Sequence, residues 1–538
     1  MFQNFITIIA LFSPAIFAVT ALISWFQPGS RPLIVKRMGI ISAIISIVIA
    51  GICGSLVISY GILQTNMIGL QGLGLSLRLD PISVLMLTMI ALLGFIIVRF
   101  SNNYLDGDKR QGIFIGRLAA TISSVQLFVL SGNLGLLWVS WILTSISLHR
   151  LLVFYTNRPG ALVAAKKKFI LARLADICLL IACVLLYKEF GTGNLEVIFT
   201  AIKRMSSSGV PIAGIEATAI FLVLAALLKS AQFPTHGWLI EVMETPTPVS
   251  ALLHAGLLNA GPFLIVRMAY VMEASTMAPI ILISIGGFTA LFASVVYLTQ
   301  TSIKTALGYS SVAHMGFSLL VCGLGVYPAA MLHLVAHSFY KAHAFLSSGS
   351  VIDVVRGSKV AQSANLGSPF RIVLGVAMAL TLYVIFAMIW GIEPAKELPL
   401  LAIGAIIIMG VSRLFTSAID SKKSFSMLVP AGLLAVLVTA AFFSLESGTH
   451  FMLASQLPLS SALGLGKIVL TVILLLAFGL VVVIQILSPV LSQTPFWRAM
   501  AIHLRNGLYA NALFDKMVGA IHIHASQGKL IATDKKAI

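Results

Sequence analysis

LLKSAQFPTHGWLIEVMETPTPVSALLHAG, residues 227–256, is the stretch that most strongly indicates the fold. An apolar run, AIFLVLAALL, leads directly into Lys229, and Pro234 follows five residues later. A charged side chain inside a bilayer costs about 2.5–3.5 kcal/mol, so a lysine at such a place indicates function. Proline removes a backbone donor and interrupts a helix. The stretch therefore predicts a broken membrane helix with a lysine at the break, and a lysine that snorkels from a helix end is the alternative.

The composition is that of a membrane protein. Of 538 residues, 59% are hydrophobic and 10% are charged, which excludes a soluble globular chain and a disordered one. About fifteen apolar windows are long enough to cross a bilayer. The first window has no basic region before it and is predicted to be a retained span. The fold class is thus an all-α polytopic membrane protein of about 15 transmembrane helices.

The membrane topology explains the net charge of +18, because Lys and Arg are concentrated in loops after odd-numbered spans. The positive-inside rule then places the N-terminus outside and the C-terminus in the cytoplasm. One such basic loop is taken to include Lys166, Lys167 and Lys168. No basic groove with interleaved aromatics is present, so no nucleic-acid partner is predicted, and the lipid bilayer accounts for the composition. The tail after Leu491 is amphipathic, and it could anchor on the membrane surface or dock a partner.

A second group of ionisable residues follows a helical period. His333, His337 and Lys341 repeat at i, i+4 and i+8 and so share one helix face. Such a ladder can carry protons, and a polar seam between helices is the alternative. No carboxylate lies in the same turn, so no metal site is predicted. His254 either extends the path from the break or is a hydrogen-bonded core histidine.

The remaining charged candidates have simpler alternatives. Asp176 lies three residues after Arg173 and could pair with it. Lys304 begins a span, where snorkelling competes with a role in the path. Glu241 and Glu244 precede TPTP and are read either as gating groups or as solvated loop carboxylates. No nucleophile elbow, P-loop or dinucleotide fingerprint occurs, so the chain is not predicted to be an enzyme.

Four motifs in order give a family resemblance over roughly residues 80–360. They are KSAQFPTHGWLIEVMETPTPVSALLHAG, LLNAGPFLIVRM, SIKTALGYSSVAHMGF and HSFYKAHAFLSSGSVIDVVRG. They resemble the proton-conducting antiporter family, which includes the large antiporter-like subunits of complex I and of Mrp antiporters. The resemblance implies two inverted five-helix repeats with a broken seventh helix. It also implies that a proton path runs through Lys229, His254, Lys304, His333, His337 and Lys341.

The chain departs from that family in ways that narrow the resemblance. Alignment on Phe154 and Tyr155 puts Ile142 where the family has a buried glutamate, and the twelfth span lacks the expected Lys or Glu. With SLHRLLVFY, KKKFILARLAD and HLRNGLYANALFDKMVGA, the chain is more similar to DabB-type membrane subunits of inorganic-carbon uptake systems. That resemblance implies a DabA-like cytoplasmic zinc protein as partner. The zinc and the carbonic-anhydrase-like chemistry would belong to the partner, with no cofactor in this chain.

The resemblance implies that movement of H⁺, or of Na⁺, energises inorganic-carbon uptake at a bacterial inner membrane. Alternatives are a proton-pumping subunit of a complex I type NADH-quinone oxidoreductase and a Mrp-type cation/proton antiporter. Five segments are predicted: N-terminal helices in 1–110, repeats in 111–272 and 273–420, C-terminal helices in 421–490 and a cytoplasmic tail in 491–538.

Overall fold

The computed structural model describes residues 6–349, 369–391, 424–458, 464–491 and 494–519, with a few isolated positions between 400 and 419. These residues are mostly helical, and eleven of their helices are long and apolar enough to cross a membrane. The expected count of about fifteen is not confirmed, and the two inverted repeats stay a prediction. Most of the window expected near residues 398–418 lies outside the described residues.

The N-terminal half begins with long helices and a small β region. Its helices are α1 (Phe12–Ile23), α2 (Leu33–Tyr60), α3 (Pro81–Tyr104), α4 (Gln111–Val129), α5 (Leu134–Leu152), α6 (Pro159–Phe190) and α7 (Leu195–Ser207). Its strands are β1 (Leu63–Gln64), β2 (Ile68–Leu70), β3 (Leu73–Leu75) and β4 (Arg78–Leu79). The strands form two antiparallel pairs, β1 with β4 and β2 with β3.

The second half contains shorter helices around two interruptions and then long spans. Its helices are α8 (Ile215–Lys229), α9 (Gly237–Glu241), α10 (Thr247–Ala255), α11 (Ala260–Arg267), α12 (Ala269–Glu273), α13 (Met277–Tyr297), α14 (Ile303–Gly323), α15 (Tyr327–Leu346), α16 (Pro369–Ile389), α17 (Ser424–Leu453), α18 (Leu465–Leu491), α19 (Pro495–Arg505) and α20 (Ala510–Gly519).

The interruption expected at Pro234 is present. Helix α8 ends at Lys229 and regular α-helix resumes only at Gly237, with Pro234 between them. A second interruption, which the sequence analysis did not predict, separates α10 from α11 just after His254. Each interruption leaves backbone groups without helical partners, so both are places where polar side chains can be accommodated within a membrane protein.

The three lysines assigned to a basic loop require a correction. Helix α6 already begins at Pro159, so Lys166, Lys167 and Lys168 lie on a helix. Lys166 is exposed, but Lys167 and Lys168 are only 3% and 5% exposed. They are buried because neighbouring helices supply oxygen partners for both amines, which the charge pattern of the sequence could not reveal.

A buried ion network fixes the start of α3 against the second half of the chain. Asp80 caps α3 by accepting a 2.8 Å hydrogen bond from the Ser83 amide. Its Oδ2 also lies 2.5 Å from Arg267 Nη1 and 2.7 Å from Arg78 Nε. Burial alone would raise the pKa of Asp80, but the two guanidinium groups outweigh it and hold that pKa well below its usual range. The network ties β4, α3 and α11 together.

Small residues let α13 and α14 pack closely. A Cβ added to Gly286 would lie 2.7 Å from the carbonyl oxygen of Gly316, and one added to Gly316 would lie 2.6 Å from that of Gly286. Any side chain at either position would therefore force the helices apart. This close contact fixes α14, which carries part of the candidate site.

The C-terminal tail packs back onto the rest of the chain. Gln300 Nε2, after α13, donates to the Arg505 carbonyl at 3.1 Å, and Asn511 Nδ2 on α20 donates to Glu241 Oε1 at 2.7 Å. The tail therefore covers the end of α9. The sequence suggested that the tail anchors on the membrane surface or docks a partner. The structure adds a third possibility, which is that the tail packs against other parts of the same chain.

Candidate functional site

Lys229 ends inside the protein, at one turn of α5. Its Nζ donates to the Trp141 carbonyl and to Thr144 Oγ1, both at 3.1 Å, and to Ser145 Oγ at 2.5 Å. It also lies 4.2 Å from the centroid of the Trp141 ring, a cation–π contact. The residue is 8% exposed. The structure thus contradicts a snorkelling lysine, since its amine turns inward to oxygen partners.

Asp176 is the acidic group that acts on this lysine. Arg173 Nη2 lies 2.7 Å from Asp176 Oδ2, so the pairing predicted at i, i+3 is confirmed. Asp176 also interacts electrostatically with Lys229. Ile142 offers no charge, so a carboxylate from α6 acts on Lys229 where the family resemblance expected one from α5.

Lys168 is a site residue that sequence reasoning missed. Its Nζ donates to the Ser145 carbonyl at 2.9 Å, and it interacts electrostatically with Lys229 and Asp176. Two buried lysines thus meet at the same residue of α5. The run KKK in the sequence looked like a positive-inside signal, and only the helical phase of α6 shows that its third member turns inward.

The histidines of α15 form a cluster with one further residue. Rings of His333 and His337 lie 5.9 Å apart by their centroids, as their spacing predicts. His314 on α14 contacts both, with Nδ1 3.3 Å from His333 Nε2 and its ring 4.8 Å from that of His337. The sequence analysis quoted His314 within a motif but gave it no role, because nothing in its own helix indicates a partner.

Lys341 and His254 lie at the other end of this cluster. Lys341 is fully buried and its Nζ donates to the Leu307 carbonyl at 3.1 Å. His254 is also fully buried and its ring stacks on Phe345 at 4.3 Å. Neither ring nitrogen of His254 has a hydrogen-bond partner in the described part of the chain. The alternative of a hydrogen-bonded core histidine is therefore not what the structure has.

A cavity of about 640 Å³ opens beside the histidine pair. Its lining includes His314, His333 and Ser310 among mostly apolar side chains. The apolar part comes from α13, α17 and α18, for example Phe442 and Phe478. His314 and His333 therefore border open space on one side.

Glu241 is not a solvated loop carboxylate, whereas Glu244 is exposed, as the solvated alternative predicts. Lys167 Nζ donates to both oxygens of Glu241, at 2.6 and 2.8 Å. Glu244 accepts a 3.2 Å bond from the Ala161 amide, and Arg158 donates to its main-chain carbonyl. Both residues thus hold the loop after the break against the start of α6, because α6 begins earlier than the sequence suggested.

Lys304 lies at the edge of the site. It is half-buried, and its Nζ is 3.5 Å from Thr247 Oγ1 at the start of α10. This position fits a helix-end lysine as well as a member of the path, so its role stays a prediction.

The predicted site residues fall into two groups. Lys229, Arg173 and Asp176 meet on α6 and α8, while the histidines and Lys341 meet on α14 and α15 with His254. No direct hydrogen bond joins Lys229 to His254 within the described residues. In the same part of the chain, no cluster of three His, Cys, Asp or Glu side chains has the arrangement of a metal site.

Comparison with known proteins places this site in a family. Residues 131–395 match the model for "NADH:quinone oxidoreductase/Mrp antiporter, TM", and residues 68–115 match that for "NADH-Ubiquinone oxidoreductase (complex I), chain 5 N-terminus". Over 455 residues the chain is 37% identical to the probable inorganic carbon transporter subunit DabB2 of Halothiobacillus neapolitanus, covering 84% of this chain and 81% of that relative. The chain belongs to the DabB family.

Other DabB relatives match over a shorter range. Identity with the probable subunit DabB of Hydrogenovibrio crunogenus is 44% over 275 residues, 51% of this chain and 52% of that protein. The chain thus spans about half the length of this relative. The NADH-quinone oxidoreductase subunit L of Mycobacterium tuberculosis is 34% identical over 53% of this chain and 44% of its own length.

Solved structures share the fold. The Mrp complex from Dietzia sp. matches with a TM-score of 0.61 and 22% identity, over 98% of this chain and 62% of that chain. An archaeal respiratory complex, the membrane-bound sulfane sulfur reductase, matches with a TM-score of 0.57 and 19% identity, over 93% and 97%. At these identities the likeness concerns the fold alone, which is that of a multi-pass membrane subunit.

Proposed function

We propose that this chain is the cation-translocating membrane subunit of an inorganic-carbon uptake complex. Two features together support this: membership of the DabB family and the buried amines and imidazoles at and beyond the broken helix. Ion flow through the chain would energise conversion of CO2 to bicarbonate by a DabA-like cytoplasmic zinc protein. The zinc and the carbon chemistry would reside in that partner.

The cation is H⁺. Amines and imidazoles exchange protons, whereas Na⁺ prefers oxygen ligands. The carboxylate near Lys229, Asp176, already pairs with Arg173, and the second group consists of histidines with Lys341. A path of this composition favours proton transfer over Na⁺ binding.

The path would run from Lys229 through His254 to Lys341, His337, His314 and His333. His254 and His337 interact electrostatically, as do His254 and Lys341, which supports the continuity of the second half. Water would bridge Lys229 and His254, and backbone groups freed from the helix at the break around Pro234 can hold water. Lys304 would serve the path at the edge of the second repeat.

The arrangement in the membrane follows from the basic loops and the resemblance. The N-terminus would lie outside and the tail in the cytoplasm of a bacterial inner membrane, with two inverted five-helix repeats in 111–272 and 273–420. The partner would dock near the tail. Helix α19 leaves Phe496 and Ile502 exposed, at 65% and 58%, which supports a protein contact there.

One observation favours a second candidate function, which is proton pumping in a redox complex. Identity with quinone oxidoreductase subunits, such as subunit L, indicates that a proton-pumping role in a redox complex is the nearest alternative, with Mrp-type antiport beside it. Ile142 at the place of the expected glutamate counts against both. Purification of the chain with its native partners separates them, because a zinc protein supports the proposal and flavin or iron–sulfur subunits would overturn it.

The direct test measures uptake of labelled inorganic carbon in cells that carry the complex. We expect Lys229→Ala and Lys341→Ala to abolish energy-dependent uptake while the complex still assembles, since each removes a protonatable group. Lys166→Ala, an exposed neighbour, is the control and should leave uptake unchanged. Wild-type uptake in both site variants would contradict the proposed path.

The partner is tested separately by truncating the chain after Leu491. We expect this truncation to release the zinc protein, measured by co-purification and zinc content. Recovery of the partner at wild-type yield would contradict the docking role of the tail while leaving the ion path standing.

A further inference from the structure

Lys168 is a buried titratable group that the path described above does not use. It lies on α6, opposite α5, and its amine bonds to the main chain of the same residue, Ser145, whose hydroxyl accepts from Lys229. The contacts at Ser145 are short, at 2.9 Å and 2.5 Å, and both lysines are less than one-tenth exposed. Lys168 donates its hydrogen bond to a neutral carbonyl, and the carboxylate of Asp176, which pairs with Arg173, acts on it electrostatically.

The charges around Ser145 do not balance if every group is ionised. Three cations, Lys168, Lys229 and Arg173, face one anion, Asp176, which already pairs with Arg173. His149 also faces Lys168 from α5. Two ammonium groups at neighbouring atoms of one residue repel each other strongly where water is scarce. This repulsion is therefore removed when one of the two amines is neutral.

We propose that Lys168 is the proton-exchanging partner of Lys229, so that the two amines share one transferable proton across Ser145. This inference rests on the proposed proton path and assigns it a residue. In this chain, Lys229 would therefore exchange its proton with a second lysine, where the family resemblance expected a carboxylate as its partner. Asp176 interacts with both amines and so stabilises the charge on whichever one holds the proton.

The transfer step balances without any further reactant. A protonated Lys229 gives a proton to Ser145 Oγ, and the hydroxyl proton of Ser145 passes to the free electron pair of a neutral Lys168. One N–H bond breaks, one forms, and the hydroxyl is restored. In the structure Lys168 bonds to the carbonyl of Ser145, so the step requires its side chain to turn from that carbonyl to the hydroxyl.

The test is proton flux into liposomes that contain the purified full-length chain, driven by a potassium diffusion potential and read by an enclosed pH dye. Lys168→Arg keeps the charge and the hydrogen bonds but cannot release its proton at neutral pH. We expect Lys168→Arg and Lys168→Leu each to slow the flux at least about tenfold, the scale of a lost proton-transfer group. Lys166→Arg is the matched control on the exposed face of α6.

The outcomes distinguish the role of Lys168 from the proposed proton path on which it rests. Wild-type flux in Lys168→Arg would overturn the proposal, because an arginine cannot exchange the proton. Loss in Lys168→Leu alone would then show that only the charge matters, and no loss in either variant would show that the residue is not needed. If Lys168→Leu does not elute as a folded protein, Lys168→Arg decides alone. Flux in Lys229→Ala equal to wild type would contradict the proposed path itself. Ser145→Ala is expected to slow the flux as well, since it removes the bridging hydroxyl.

Discussion

Asn511 Nδ2, in the C-terminal tail, donates a 2.7 Å hydrogen bond to Oε1 of Glu241, at the end of the short helix beyond the break. The same carboxylate receives the amine of Lys167 from α6. One side chain thus joins the tail, the interrupted helix and the helix that carries Lys168. Glu241 therefore links the position of the tail to the interrupted helix.

We expect Asn511→Ala to loosen the tail, since it removes the amide that holds α20 to Glu241. The measurement is the rate of trypsin cleavage at Arg498 and Arg505, which should increase. Asn506→Ala is the control, because Asn506 bonds only within the tail, to the Ile502 carbonyl. Equal cleavage of the wild type and Asn511→Ala would show that other contacts hold the tail.

Glu241→Gln should lower the thermal stability of the purified chain. The substitution removes the charge that Lys167 neutralises, and a hydrogen bond to a charged group contributes about 1.5–3 kcal/mol. Lys167 is nearly fully buried, so its amine would lose the negative charge that accepts its two hydrogen bonds from Glu241. Glu244→Gln is the comparison and should cost less, because that carboxylate is exposed and its hydrogen bond within the described residues is to a main-chain amide. The reverse order of melting temperatures would contradict this.

Asp80→Asn should destabilise the protein by about 3–5 kcal/mol, because it leaves the guanidinium groups of Arg267 and Arg78 without their shared anion. Asp106→Asn is the control, because the ion pair of Asp106 with Lys36 is exposed to solvent and should contribute little. Chemical denaturation at neutral pH measures the loss.

The pH dependence of that difference follows from the lowered pKa of Asp80. A carboxylate whose pKa is lower when folded stabilises the protein fully above its unfolded pKa, about 3.9, and loses this as the pH falls through the folded pKa. We therefore expect the gap between wild type and Asp80→Asn to be constant above about pH 5 and to narrow below about pH 4. A gap that widens in acid would contradict the sign.

His314→Gln should slow proton flux in liposomes by at least about tenfold, if His314 passes protons between α14 and α15. Glutamine keeps a polar group near His333 but cannot carry an exchangeable charge. His343→Gln replaces an exposed histidine near the end of α15 and is the matched control. Equal flux in both variants would remove His314 from the path and leave the other histidines in it.

Particular residues show which features of the site could be predicted from the sequence. Pro234 after an apolar run predicted the interruption, because proline lacks the backbone donor of a helix interior and its ring clashes with the preceding turn. The pair Arg173 and Asp176 followed from a local spacing. Glu241 was misread, because its partner Lys167 lies on α6, more than 70 residues earlier in the chain.

The sequence by itself determined what local chemistry and the membrane impose: helices of spanning length, a break at Pro234, and ionisable side chains inside apolar runs. Only the tertiary structure decided which of those side chains meet. Lys168 and Lys229 converge on Ser145, and His314 joins the ladder of α15, because helices distant in sequence pack side by side. Burying an amine is tolerable only where a neighbouring helix supplies oxygens, and that condition depends on packing.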